Sequence, residues 1–406
     1  MSNLLQNKIY KLKGKVQNYA WGGFEYIPNL LHFENKEHKP CAEYWMGAHP
    51  SAPSMLQNGN EEVSLFDVIQ QNTTAILTET VFTKFGELPY LYKILDVNEM
   101  LSIQVHPSKV EAVKGFERED LEGIPITAPH RNYKDKNHKP EVMIALGEFW
   151  LLHGFMSLEA IEERLLSVKE FNVLLSIFKK QGLKELYRFL MEMTQQEVDT
   201  ILCGLVKREM RRKLNGELNK SMPGWWAAKV FKENEEVVNV DRGVFSIYLF
   251  NIVGLQKGDG VFQAAGIPHA YLEGQNVELM ANSDNVLRGG LTPKHIDVPE
   301  LMKHTLFEPI VPNVMKGESI GALEKNYRCP VPDFDISKIE LNAGNSYTAL
   351  SASPEIFIAI KGGAIVNGKN TNITIKKGDC FIIFPNEEYS ISASGNCELY
   401  KAFVGS

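Results

Sequence analysis

Cysteine is scarce and poorly placed for cross-linking. The chain has five, Cys41, Cys203, Cys329, Cys380 and Cys397, and no two form a C-x-x-C pair. An odd, scattered set excludes a disulfide framework and a cysteine-based zinc site, and predicts free thiols. Long apolar runs are also missing: the best, from Val244 to Leu255, contains Ser246 and Asn251 and falls short of the ~20 residues a membrane-spanning helix needs. The N-terminal stretch MSNLLQNKIYKLKGKV interrupts its apolar residues with Asn, Gln and Lys, so it has no signal-peptide core, and a cytoplasmic location is expected.

Nor is there an excess of positive charge. Lys and Arg number 43 against 50 Asp and Glu, a formal charge of -7, and the basic residues are dispersed. General binding to nucleic acid or to an anionic membrane is thereby excluded, while a local anion pocket is not. A phosphate-loop match fails as well: Gly363 to Lys369 fits G-x-x-x-x-G-K, but Asn370 stands where Ser or Thr is required, and Asn367-Gly368 reads as a hairpin turn.

The 406 residues, 44% hydrophobic and 23% charged, describe an ordinary folded chain of about two or three domains. Up to Phe155, short strand-like runs alternate with turns; PYLYKILDV, MLSIQVHP and EVMIALGEFWLLHGF read as strands. From Ser157 the period becomes helical, through Leu158, Ile161, Leu165 and Val168, then Leu183, Leu186 and Leu190, then Val198, Ile201, Leu202 and Leu205. Thr194 with Glu197 has the form of a capping box, and the helices end near Leu214. After Gly243 the strand signal returns and persists to the end. The order is β, then α, then β, with the helices as an insertion. Lys257-Gly258-Asp259 before Pro268-His269 is echoed by Lys377-Gly378-Asp379 before Pro385, with Tyr389 in the place of His269. Such a repeat fits two antiparallel β-barrel units.

Four features could carry chemistry. Gln104 and His106, two apart at a strand end, share a face with Ser102 beside them; a hydrogen-bonded structural His is the plain alternative. Asn137-His138-Lys139-Pro140-Glu141 leads into a strand, where an inward Glu141 needs a cation or metal and an outward one is an ordinary turn. His269 follows a Pro-fixed turn. Together Gln104, His106, Glu141 and His269 offer two imidazoles, a carboxylate and an amide oxygen, and two His with a Glu form a catalytic zinc set. Finally, Arg288 between Asn282 and Gly290 suits an oxyanion or phosphate, or else pairs with Asp284.

At these features the chain resembles the type I mannose-6-phosphate isomerases, zinc-dependent enzymes of the cupin superfamily. The resemblance is carried by Tyr19-Ala20-Trp21-Gly22-Gly23, Ala42 to Pro50, Leu101 to Pro107, Tyr133 to Glu141, Gly266 to Tyr271 and Asn282 to His295, in the expected order across most of the first 300 residues. It implies a mainly β fold with an α-helical insertion: two cupin-type jelly-roll barrels plus a helical domain. The expected boundaries are a catalytic barrel over 1–155 and 236–318, an inserted helical domain over 156–235, and a C-terminal barrel without metal over 319–406.

It further implies one Zn2+ per chain on Gln104, His106, Glu141 and His269, and reversible conversion of mannose 6-phosphate to fructose 6-phosphate through a cis-enediol. His138 and Lys139 are the candidate bases, Arg288 and Lys139 the cations facing developing charge, and Asp284 an aid to ring opening or to Arg288. Ser102, Lys93 and Trp21 are the candidate substrate contacts. The expected partner is a small sugar phosphate, with no nucleic acid or membrane, and the chain is expected to be a monomer or weak homo-oligomer. Another cupin metalloenzyme, or a non-catalytic sugar-binding bicupin, is the alternative.

Overall fold

The computed structural model describes residues 7–59 and 61–405; the first six residues of the N-terminal stretch lie outside them. The chain is mostly antiparallel β-sheet with a helical region in the middle. Among the described residues no helix is long and apolar enough to cross a membrane.

The spine of the first unit is the strand His269–Ala281. Its second half, from Gly274, pairs with the fully buried strand Tyr90–Val97 on one side, and its Asn276 to Met280 with Glu141–Ala145 on the other. Its first half changes partners, placing His269 opposite both Gln104 and His153. The change of sheet is made at Gly274, where φ is +127° and a Cβ would stand 2.6 Å from the Glu148 carbonyl oxygen. Only glycine turns this corner without strain.

Helices form at Leu158–Ser167, Asn172–Glu192 and Gln195–Leu214, as the periodicity predicts. The Thr194–Glu197 capping box is present, with the Thr194 N–H donating to Glu197 Oε2 at 2.7 Å. Leu165, Leu186, Leu190 and Leu205 share one core with Val105, Leu152 and Phe250, which fastens the helices to the strands behind the site.

Three expectations need correction. The segment Gly243–Leu249, read as strand, is a helix, and the strand begins only at Phe250. Every residue of that helix is buried, its one polar side chain Ser246 included, so the segment has no exposed polar face from which a period could be read. Helices Leu65–Gln71, Thr73–Leu77, Glu79–Phe85 and Lys109–Leu121 lie in the part read as strands and turns. Lys109–Leu121 buries only Ala112, Gly115 and Glu119, too few to write a hydrophobic stripe. Within MLSIQVHP only Gln104–Val105 is paired as strand.

The segment 1–155 also does not keep to one sheet. Ile9–Lys13 pairs with Cys380–Ile383 of the C-terminal unit, and Met55–Asn58 and Glu61–Ser64 continue that sheet. Ile9 packs into the C-terminal barrel core while Tyr10 and Leu12 pack into the core between the units. Alternate side chains of one strand thus enter different cores.

The two Lys-Gly-Asp turns are built alike. Gly258 and Gly378 have φ of +88° and +86°. Asp259 Oδ2 accepts the Gln256 N–H at 3.0 Å, and Asp379 Oδ2 the Lys376 N–H at 3.1 Å. Downstream, Tyr389 donates to Glu355 Oε2 at 2.6 Å inside the second barrel.

Candidate metal centre and active site

His106, Glu141 and His269 arrive on three separate strand ends and meet as a buried cluster. Glu141 Oε1 lies 3.4 Å from His106 Nε2, and Oε2 lies 3.3 Å from His269 Nε2. The other nitrogen of each ring is tied down: His106 Nδ1 is 2.9 Å from the Asn285 carbonyl, and His269 Nδ1 is 2.9 Å from the Ile267 carbonyl. A carbonyl only accepts, so each Nδ1 carries the proton and each Nε2 presents its lone pair to the centre. Both Nε2 atoms are buried without a hydrogen-bond partner among the described residues. Burial holds the His106 imidazole down at about 4, hence neutral, while Glu141, buried beside Lys139 and the two rings, is held well below the usual carboxylate range. Lone pairs aimed at a buried carboxylate repel one another unless a cation lies between them; the donor set therefore fits a metal ion.

Gln104 stands opposite His269 in register and lines the same cavity of about 60 Å³. Lys139 Nζ also lines it, 3.4 Å from Glu141 Oε1. Across the cavity Lys93 Nζ sits between Glu43 Oε2 at 3.3 Å and Glu278 Oε1 at 3.2 Å. Burial acts against the Lys93 ammonium, but Glu43, Glu278 and Glu141 outweigh it and raise its pKa; burial pushes the Glu278 carboxyl up. Three carboxylates thus face two ammonium groups, a deficit of positive charge that a divalent cation would fill.

The other expected residues are distributed around this centre. His138 Nε2 is 2.9 Å from Asp333 Oδ1, and the side chain does not line the cavity. Arg288 faces Gln104 in register, and among the described residues its guanidinium makes no hydrogen bond or ion pair. The alternative pairing of Arg288 with Asp284 is not formed, because Asp284 Oδ2 lies instead 3.5 Å from His49 Nε2. Trp21 stacks on Tyr19 with centroids 6.0 Å apart and packs against the core around Leu95 and Val97. Ser102 precedes Ile103, whose N–H donates to the Gly290 carbonyl, and it does not line the cavity.

Sequence reasoning missed Glu43, Glu278, His49 and two cations near Arg288. Burial and then the Arg288 charge lower the pKa of Lys294; for Lys134 burial lowers it first, Glu119 works against this, and Arg131 and then Arg288 add to the lowering. The legible signal for Glu43 and Glu278 was a carboxylate set inside an otherwise apolar strand, AEYWM and VELMA.

A family model described as the catalytic domain of type I phosphomannose isomerase matches residues 9–158. The chain is 37% identical to the mannose-6-phosphate isomerase of Salmonella typhimurium, over 97% of this chain and 99% of that one. It is 31% identical to mannose-6-phosphate isomerase 2 of Arabidopsis thaliana, over 98% and 94%. Among solved structures it superposes on a zinc-bound mannose 6-phosphate isomerase with a TM-score of 0.86 at 34% identity, covering 98% of this chain and 100% of the other.

Proposed function

Because the chain belongs to the type I phosphomannose isomerase family, we propose that it interconverts mannose 6-phosphate and fructose 6-phosphate. One observation carries the reading: two buried imidazole nitrogens without hydrogen-bond partners face the two oxygens of one buried carboxylate. Gln104, His106, Glu141 and His269 would hold one zinc ion per chain, and zinc when bound supplies Lewis-acid polarisation of the sugar's reacting oxygen.

The reaction relocates one proton. It leaves C2 of the open-chain aldose while the C1 carbonyl oxygen is protonated, giving a cis-enediol. The enediol then takes a proton at C1 as O2 loses its hydrogen and becomes the ketose carbonyl. The carrier must reach both carbons from one face of the sugar. Lys139 is the favoured carrier, taking the C2 proton as the neutral amine and returning it as the ammonium, since its side chain lines the cavity whereas His138 is engaged with Asp333. Arg288, without a partner for its guanidinium among the described residues, would face the negative charge that develops on oxygen. With Lys294 and Lys134 nearby it also suits the phosphate better than Lys93, which two carboxylates already occupy. Asp284 would take the anomeric hydroxyl proton as the ring C1–O5 bond breaks and O5 is protonated from solvent. Trp21 and Ser102 would be further substrate contacts. The five free thiols support a cytoplasmic location, and a monomer or weak homo-oligomer completes the reading.

Turnover in D2O tests the chemistry. Deuterium at C1 of the fructose 6-phosphate formed is the expected result, since a carrier that exchanges its hydrogen with solvent passes deuterium on to the enediol; no turnover by folded, zinc-loaded protein would contradict the activity.

A further inference from the structure

His49 is a buried side chain that the proposed mechanism does not use. It follows the strand Glu43–Met46, and its ring stands edge-on to Trp45 with centroids 5.1 Å apart. Lys93 lies over that same indole, 5.2 Å from the centroid.

Both ring nitrogens are assigned by their neighbours. The Ser51 backbone N–H, which can only donate, points at Nδ1 from 3.3 Å, and the Ser51 hydroxyl lies 2.7 Å from the same nitrogen. Nδ1 is therefore the acceptor, and the proton of the neutral ring sits on Nε2. Nε2 faces Asp284 Oδ2 at 3.5 Å.

Asp284 is held from its backbone as well, by an N–H bond to Asp135 Oδ2 at 2.7 Å. Its other oxygen, Oδ1, has no partner among the described residues. The His49 side chain is 8% exposed and that of Asp284 55%, so the contact has a dry inner half and an open outer half. This is the arrangement that orients a carboxylate through one oxygen and leaves the other to a ligand.

We infer that His49 is a positioning residue: its tautomer set by Ser51, it holds Oδ2 of Asp284 and leaves Oδ1 for the anomeric hydroxyl of the sugar. The inference rests on the isomerase reading above. It adds to that reading a Ser51–His49–Asp284 chain in which only the last member touches substrate.

Other charges also face the carboxylate: Lys139 and Lys93 from the cavity, Lys134 and Asp135 from the loop before Glu141, and the Tyr19 hydroxyl from the N-terminal segment. The His49 contact is the largest of the influences that keep the Asp284 pKa below its ordinary value, while burial works against it. Losing that contact raises the pKa of Asp284, so the acidic limb of the rate profile moves to higher pH.

Two conservative variants separate positioning from packing. In H49Q the amide nitrogen occupies the place of Nε2 and can still donate to Asp284; in H49N the amide oxygen takes the place of Nδ1, accepting from the Ser51 N–H, and no donor reaches Asp284. The measurement is kcat/KM for mannose 6-phosphate against pH in the zinc-loaded wild type, H49Q, H49N, D284N and the H49N/D284N double variant, with zinc content and Tm for each. H49N is expected to lose about tenfold or more in kcat/KM and to shift the acidic limb upward. H49Q is expected to keep the wild-type limb, and H49N to add no further loss on D284N. An H49N limb like that of the wild type, equal losses in H49Q and H49N, or additive losses of H49N and D284N would each overturn the inference. An inactive wild type would instead overturn the isomerase reading on which it rests.

Discussion

His269 Nε2 lies 3.3 Å from Glu141 Oε2, both side chains are buried, and the imidazole nitrogen has no hydrogen bond among the described residues. A lone pair and a carboxylate oxygen facing each other at that distance, away from water, form half of a coordination shell. Glu141→Gln keeps the shape and removes the charge. Zinc affinity should fall by more than the roughly 10–100-fold typical of outer-shell changes, as read by competition with a chromogenic chelator. Affinity equal to that of the wild type would place the metal elsewhere.

The metal-free protein should lose stability in acid. His106 and His153 both titrate near 4, each because burial penalises the charged ring. An unfolded imidazole titrates near 6.5, so between about 6.5 and 4 the unfolded chain binds protons that the folded one does not. Stability is therefore complete above about 6.5 and declines as pH falls toward 4. His153→Asn keeps a donor for Gln263 Oε1, which lies 2.7 Å from Nδ1, and cannot titrate. Its Tm should depend less steeply on pH than that of the wild type over this range; identical slopes would show that His153 does not contribute.

Lys139 and His138 are adjacent in sequence and differ in placement. Lys139→Met should lower kcat by roughly 10²–10⁴-fold with zinc retained, and His138→Gln by less than about tenfold. The reverse order would assign the proton transfer to His138.

Lys93 is an ion-pair partner as much as a site residue. Lys93→Met strands Glu43 and Glu278 as buried carboxylates, and breaking a buried pair in this way costs roughly 3–5 kcal/mol. Urea unfolding of the zinc-loaded variant measures the loss. A loss well under 1 kcal/mol would mean that one carboxylate is already protonated in the wild type.

How much of this the sequence shows depends on whether the cause is local. The Lys-Gly-Asp turns are local: a glycine at positive φ and an Asp accepting from the backbone three residues earlier are written in three letters, and both copies fold alike. The Thr194 capping box is local for the same reason. The clustering of His106, Glu141 and His269 was readable as residue types at strand ends, while their convergence is a property of the strand His269–Ala281 and its neighbours. The pairing of Ile9–Lys13 with Cys380–Ile383 has no local signature at all, since a strand's partner at the far end of the chain leaves no trace in its own pattern. The same holds for Asp284: proximity in sequence suggested Arg288, and the fold supplied His49.

The most direct test of the account is conversion of mannose 6-phosphate to fructose 6-phosphate by the purified protein, before chelation, after it, and with zinc restored. The account predicts conversion that disappears on chelation and returns with one equivalent of zinc per chain. Conversion that survives complete removal of metal would contradict it.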